Sequence, residues 1–287
     1  MKPSLLRIRL VWILIIIFCE GGLVYSQTIT YNGSAQFSTG SYFFTENTNS
    51  FYLNSGFSFR NKGISIGLNI PYIVQSTPWI SVSSGSLIAT GGPGNERVGG
   101  ERKGNGNRRG GRKIDPGIAD TISYSSASFG DPNLSGNIKL YESKNQRTSV
   151  QTNLNIKFPL ADPTDGFGTG AWDFGAGMSI FQRIGSDYLW ILDVMHWRLG
   201  DMNNLEFKNP VSFSSGLGRS FSNGKWLISA NIYGYTRIIE EIEPPLSSGL
   251  NAGLRINPKM NLNASVVIGL SDSNPDVSTG LGWSVTF

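Results

Sequence analysis

Apolar and polar residues alternate with period two along most of this chain, and that pattern limits the fold more than any other feature. Phe51, Leu53, Phe57 and Phe59 share one parity, with Tyr52, Asn54, Ser58 and Arg60 on the other. Ile64, Ile66, Leu68 and Ile70 alternate with Ser65, Gly67 and Asn69. The same holds around 134–140, 150–158, 172–180, 211–218, 226–233, 250–256, 260–268 and 277–287. Successive side chains of a β-strand point to opposite faces, so each segment predicts a strand with one apolar face. Two weaker strands, near 34–43 and over 187–197, bring the number to twelve. Each is about 10 residues, the length a tilted strand needs to cross a bilayer.

A soluble sandwich also alternates, but its outward face is rich in Lys and Glu. Here the polar parity is mostly Ser, Asn, Gly and Thr. Charged residues are only 15% of the 287, against about 25% in soluble domains. The expected fold class is therefore all-β, a transmembrane antiparallel β-barrel of about twelve strands with its apolar parity in lipid. Other classes drop out on composition. The 36 glycines have no Gly-X-Y period, which excludes collagen, and 11% aromatics argue against disorder. One Cys and one His exclude a disulfide scaffold and a Cys- or His-rich metal site.

The N-terminus reads as a cleaved signal peptide over 1–26. Lys2, Arg7 and Arg9 precede an apolar run at 11–18, and Val24-Tyr25-Ser26 offers a cleavage site before Gln27. The run is too short to span a bilayer as a helix. Cys19 as a lipid anchor is the competing reading, opposed by the bulk of Phe18 beside it. Losing Lys2, Arg7, Arg9 and Glu20 lowers the formal net charge from +4 to +2, which gives no reason to expect nucleic acid as a partner.

The connections alternate short and long. Short ones fall at 61–62, 142–147, 185–186, 222–224 and 257–258, and longer ones at 45–50, 75–130, 159–170, 199–209, 238–247 and 271–276. This is the pattern of short periplasmic turns and longer external loops, and residues 27–287 form one domain. Within the 75–130 loop, residues 95–113 carry seven basic residues against Glu96 and Glu101, net +5, and lack apolar periodicity. A solvated insertion, partly disordered, is the plainer expectation, and contact with anionic lipopolysaccharide the functional one. Pro78-Trp79-Ile80 and 114–124 flank it, as candidates to fold onto or into the barrel mouth.

A transport path would be lined by the polar parity. The lumen and ligand candidates are Lys139, Lys157, Asp173, Asp193, Asn231, Tyr233, Asn251 and Arg255. The alternative is a sealed interior in which Lys and Arg pair with Asp193 and Asp173. Twelve strands lie between the eight whose side chains fill a barrel and the sixteen that leave a wide channel, so a narrow conduit plugged by the 75–130 loop is also expected. Chemistry is sparsely signalled. His196, the one imidazole, falls on the apolar parity at a strand end, as an interface residue rather than a catalytic base. Asp162 and Asp165 are possible calcium ligands, with a rim turn as the plainer reading. The glycines at 166–170 follow no βαβ pattern and make no phosphate loop. No catalytic residue, metal or cofactor is expected.

The C-terminal segment, with Gly282, Val285 and Phe287, resembles the assembly signal of bacterial outer-membrane barrels, which implies the barrel assembly machinery as a partner. Further segments are similar to the family known as the MetA pathway of phenol degradation, a group of outer-membrane transporters. They are Gly130-Asp131-Pro132-Asn133-Leu134, then Lys157-Phe158-Pro159-Leu160-Ala161-Asp162, then Phe167-Gly168-Thr169-Gly170 followed by Asp173, and Leu199-Gly200-Asp201. Leu160-Ala161 stands where the family usually has Pro-Thr-Gly. The resemblance implies an outer-membrane barrel that transports small, hydrophobic compounds. On the residues themselves, Gly130, Asp131, Pro159, Asp162, Gly168 and Gly170 read equally as rim turns in which Asp caps exposed N–H groups. The functional expectation is passive passage of small molecules through an outer-membrane barrel in contact with lipid and lipopolysaccharide. The alternative is a closed barrel acting as adhesin, anchor or secretion-system partner through its loops.

Overall fold

The computed structural model describes residues 27–42, 44, 47–77, 80–83, 86–90, 126–163, 166–202 and 205–287. The expected signal peptide over 1–26, the basic segment 95–113 with its flanks 78–79 and 114–124, and Asp165 lie outside these residues.

Fifteen strands occur among the described residues: β1 (Thr28–Gly40), β2 (Thr48–Asn61), β3 (Ile64–Gln75), β4 (Ile80–Ser83), β5 (Ser86–Ala89), β6 (Ser126–Phe129), β7 (Asn133–Glu142), β8 (Thr148–Lys157), β9 (Asp173–Ile184), β10 (Tyr188–Arg198), β11 (Val211–Phe221), β12 (Trp226–Tyr235), β13 (Leu246–Asn257), β14 (Met260–Gly269) and β15 (Val277–Thr286). Each wall strand pairs antiparallel with its neighbour in sequence, and β15 pairs with β1. Phe287 N–H donates to Ile29 C=O at 2.9 Å beside that seam. The sheet is a closed barrel of twelve strands, with β6 and β7 forming one interrupted strand along β3. Closure removes both sheet edges, so the wall's backbone groups are satisfied without water.

The two parities face as expected. Leu53, Phe57, Leu68, Leu154, Met178, Leu217, Leu250 and Leu281 are exposed on the outside, while Ser38, Ser50, Ser179, Ser247 and Ser278 are buried inside. Aromatic side chains gather at both ends of the outer belt. Trp172 stacks on Phe174 and meets Phe158 edge-on, at ring-centroid distances of 6.2 and 5.0 Å, toward the long-loop end. At the other end the Arg219 guanidinium lies over Tyr188 and Phe221. An amphipathic ring, or a cation over one, suits the boundary between hydrocarbon and headgroup. His196 is exposed on this outer face, one residue past Met195 on the lumen side.

The short turns match the sequence expectation. Lys62 and Gly63 both have positive φ, 41° and 88°, and join the paired residues Asn61 and Ile64. Two positive-φ residues give a turn whose twist matches that of the flanking strands.

Three differences stand out. The first strand begins at Thr28 and ends at Gly40, earlier than the expected 34–43, because the alternation already starts at Ile29 and Tyr31, opposite the polar Thr30 and Asn32. The ends of the 75–130 loop are strands rather than loop: β4 pairs with β5 as a hairpin, and β6 extends the wall. The described part of the 75–130 loop also joins a larger apolar cluster. Ile88 of the hairpin is buried with Trp197, Leu199, Met202, Leu205, Phe207, Ile238 and Ile239, so the loops after β10 and β12 supply most of it. This explains why β10 is apolar on both parities, since Met195 and Trp197 point inward and pack there.

The outer belt is in contact with lipid, so a charge there is costly. Leu217→Arg is expected to destabilise the folded barrel by about 2–4 kcal/mol. Denaturant titration in lipid vesicles checks this, with Ser214→Arg on the lumen face losing less.

Candidate functional site

The site is the lumen, and its most constrained part lies under the long loops. β3 pairs with β7 up to Asn69↔Asn133, then with β6 from Tyr72↔Phe129. The register shifts by one residue across this break, beside Pro71. The extra residue bends the strand and re-aims a side chain, here Asp131, which is buried. Its carboxylate lies 3.4 Å from Lys157 Nζ, which lies 3.0 Å from Asp173 Oδ2. Lys157 also donates to Thr169 Oγ1. All three charged side chains are at most 2% exposed.

The carboxylates also hold loop backbone. Ala161 N–H donates to Asp131 Oδ1 at 2.9 Å, and Gly200 N–H to Asp173 Oδ1 at 3.1 Å. Asp201 Oδ1 accepts from Phe207 N–H at 2.8 Å. A Cβ on Gly168 would lie 2.8 Å from Asp131 Oδ2, so only glycine lets the loop approach the carboxylate this closely. Gly170 has φ of +72°, and a Cβ on Gly130 would lie 2.7 Å from Ile73 Cδ1. Pro159 centres a three-residue turn closed by Leu160 N–H to Phe158 C=O at 2.8 Å. The separate motifs of the sequence therefore meet at one cluster. Asp162 stands outside it, exposed. Among the described residues no three His, Cys, Asp or Glu side chains come together as metal ligands.

The other candidates are dispersed. Among the described residues Asp173 has the basic partner expected for a hydrogen-bonded and ionic interior, whereas Asp193 is held by hydroxyls. It accepts from Ser214 Oγ at 3.0 Å and from Ser179, which in turn accepts from Asn153 Nδ2 at 2.5 Å. Hydroxyls one strand away on either side suffice to bond it. Asn251 Nδ2 donates to Asn231 Oδ1 at 2.7 Å, and Tyr233 lies opposite Ser247. Lys139 and Arg255 stand exposed at the short-turn mouth, Lys139 paired with Glu142 at 3.1 Å. Gly282 turns inward, where a Cβ would lie 2.3 Å from Asn263 Oδ1. Val285 pairs with Tyr31 at the seam, and Phe287 is exposed.

The sequence reading missed the amide-rich wall of β1–β3. Asn69 donates to Asn54 at 3.2 Å and Asn54 to Ser34 at 3.3 Å. With Asn32, Gln36, Tyr52, Asn133 and the Asp131–Lys157 pair they line a cavity of about 600 Å³. Those residues were on the polar parity, but uncharged residues gave no ground for choosing among them. Above the cavity, the loop after β8 turns inward. Phe167 packs on Tyr52 and Ile73, and Gln75 Nε2 donates to Gly166 C=O at 3.5 Å. On the outer surface, Glu240 bonds Lys208 and lies 3.5 Å from Arg237, and the Lys208 hydrogen bond holds its carboxyl below the ordinary range.

Removing one member of the ion cluster strands the others in low dielectric. Lys157→Met is expected to destabilise the barrel by about 3–5 kcal/mol, seen as a lower Tm. Adding Asp131→Asn and Asp173→Asn is expected to restore most of the loss.

No family model matches the chain, and no curated protein matches it in sequence. Solved structures match in fold. The COG4313 outer membrane channel from Pseudomonas putida F1 is similar with a TM-score of 0.65 at 10% identity, over 93% of this chain and 97% of that one. The NanC porin is similar with a TM-score of 0.50 at 8% identity, over 89% and 98%. The fold shared with these proteins is the outer-membrane barrel.

Proposed function

We propose that this protein is an outer-membrane channel for passive passage of small molecules. The observation that carries this reading is an inverted barrel, apolar outside, that encloses a polar cavity of about 600 Å³. A sealed structural barrel of this size would fill its interior with side chains. Here Gly216 and Gly218 on β11, and Gly280 and Gly282 on β15, leave the inner wall low. The fold match to an outer membrane channel supports the same reading. The convergence of Asp131, Lys157, Gly168, Gly170 and Asp173 on one cluster supports membership of the MetA-pathway family of transporters.

On this reading residues 1–26 direct export and the barrel assembly machinery recognises the segment ending at Phe287. Outer-membrane lipid and lipopolysaccharide surround the belt. The chain does no covalent chemistry and needs no cofactor, and its partners do not include nucleic acid. Small hydrophobic or aromatic solutes would meet the apolar plug first.

The plug favours a second reading, a closed barrel that acts through its loops, because Trp197, Phe207 and Ile238 bury one another across the mouth. Planar-bilayer recording separates the two. The channel reading expects small, flickering conductance steps, and Phe207→Ala, which thins the plug, lengthens the open time. A flat record from both proteins overturns it.

A further inference from the structure

The short-turn end of the barrel carries an unbalanced charge. Residues 60–64, 139–147, 183–188, 219–226 and 255–260 are the five short turns with the strand ends beside them. They hold ten Lys and Arg against two acidic residues, Glu142 and Asp187. The whole chain is only +4, so the excess belongs to this end. All ten are exposed, and among the described residues Lys139 alone of them is ion-paired, with Glu142 at 3.1 Å. An ordinary solvated surface intersperses the two signs, whereas a rim of one sign raises a field that gathers anions.

The geometry on one hairpin selects the anion. Arg219 shares the outward parity of Leu217 and is paired in register with Tyr188. Its guanidinium lies 5.4 Å from the Tyr188 ring centroid and 5.0 Å from that of Phe221, and Trp226 stands opposite Phe221 on the next strand. Stacking uses the faces of the guanidinium and leaves its in-plane N–H groups to meet two oxygens of a phosphate. Rings of this kind sit at the level of the lipid headgroups, so the phosphate within reach of Arg219 is a headgroup. Lys225, exposed in the turn that follows β11, adds a second cation beside it.

From this we infer that the short-turn rim binds anionic phospholipids of the periplasmic leaflet, with one headgroup phosphate seated on Arg219 and Lys225. Short turns face the periplasm in outer-membrane barrels, where the leaflet is phospholipid, so lipopolysaccharide is not the ligand of this rim. A zwitterionic headgroup brings its own ammonium and gains less from the field. The inference does not depend on whether the barrel conducts.

The test is titration of the full-length barrel in detergent with phosphatidylglycerol and with phosphatidylcholine, followed by native mass spectrometry, which resolves the first lipid bound. Phosphatidylglycerol is expected to bind on the order of tenfold more tightly, from two cations each contributing about fivefold near an anionic surface. Raising the ionic strength should remove most of that preference. Arg219→Gln with Lys225→Gln should bring the ratio to about twofold, the residual field of the rim. Lys62→Gln with Lys259→Gln, a pair on other turns, should lower it less. All four side chains are exposed, so both variants are expected to keep the Tm. Equal affinity for the two lipids, a preference that survives Arg219→Gln with Lys225→Gln, or an equal loss in the Lys62 and Lys259 pair overturns the inference. Inorganic phosphate lacks the acyl chains that rest on the outer belt, and its displacing the lipid at equal concentration also overturns it. Displacement by polyglutamate overturns it in favour of an acidic periplasmic protein.

Discussion

Every backbone N–H and C=O that faces hydrocarbon must find its partner inside the protein, and the rest of this molecule follows from that requirement. A sheet meets it only by closing on itself. Closure is made here by β1 and β15, paired from Thr30↔Thr286 to Thr39↔Val277. Once closed, the sheet has an outside and an inside. The period-two pattern then assigns side chains to solvents, because a slip of one residue would exchange lipid and lumen faces along a whole strand. Local packing enforces the register at the seam. A Cβ on Gly33 would lie 2.3 Å from the Trp283 ring on the paired strand, so the indole needs glycine opposite it.

One break in the wall is used rather than repaired. The one-residue shift beside Pro71 turns Asp131 into the barrel, and the buried Lys157 sits between it and Asp173. Charges taken out of water are expensive unless each has partners. Here the carboxylates each spend an oxygen on a loop N–H, at Ala161 and at Gly200. The same three side chains therefore tie the bulged strand, the loop after β8 and the loop after β10 to one point. This favours the reading of the Gly-Asp motifs as structural fasteners of the mouth, with Asp131 Oδ2 held against Lys157.

The wall was legible in the sequence because its signal is local. Alternation, strand length and the short turns each depend on residues within a dozen positions, and the turn between Phe221 and Trp226, with φ of 52°, 55° and 81° at Ser222, Asn223 and Gly224, is specified by its own four residues. The site was legible only in pieces. Lys157 and Asp173 stood out as charges on a polar parity, but their junction with Asp131 depends on a bulge that shifts one strand against another, which no local pattern encodes. The β4–β5 hairpin escaped because four-residue strands beside a basic insertion carry too little periodicity. Asn54, Gln36 and Asn69 escaped because an amide facing a cavity and an amide facing another amide look alike in sequence.

The inward parity turns apolar once, at the external end, and the loops there bury it. Met195 and Trp197 occupy the inward parity of β10, where bare side chains would be wetted. Loops after β10 and β12 and the β4–β5 hairpin cover them with Phe207, Ile238 and Ile88, and Trp197 keeps its N–H bonded to Ser212 Oγ at 2.9 Å. Each large apolar side chain so buried contributes about 1.5–3 kcal/mol relative to water. Burying several together holds these loops in place, while surface pairs such as Lys208–Glu240 add little. The plug and the polar cavity beneath it then act in series. A solute must first displace apolar side chains at the mouth, and only below them does it meet the polar wall of the cavity.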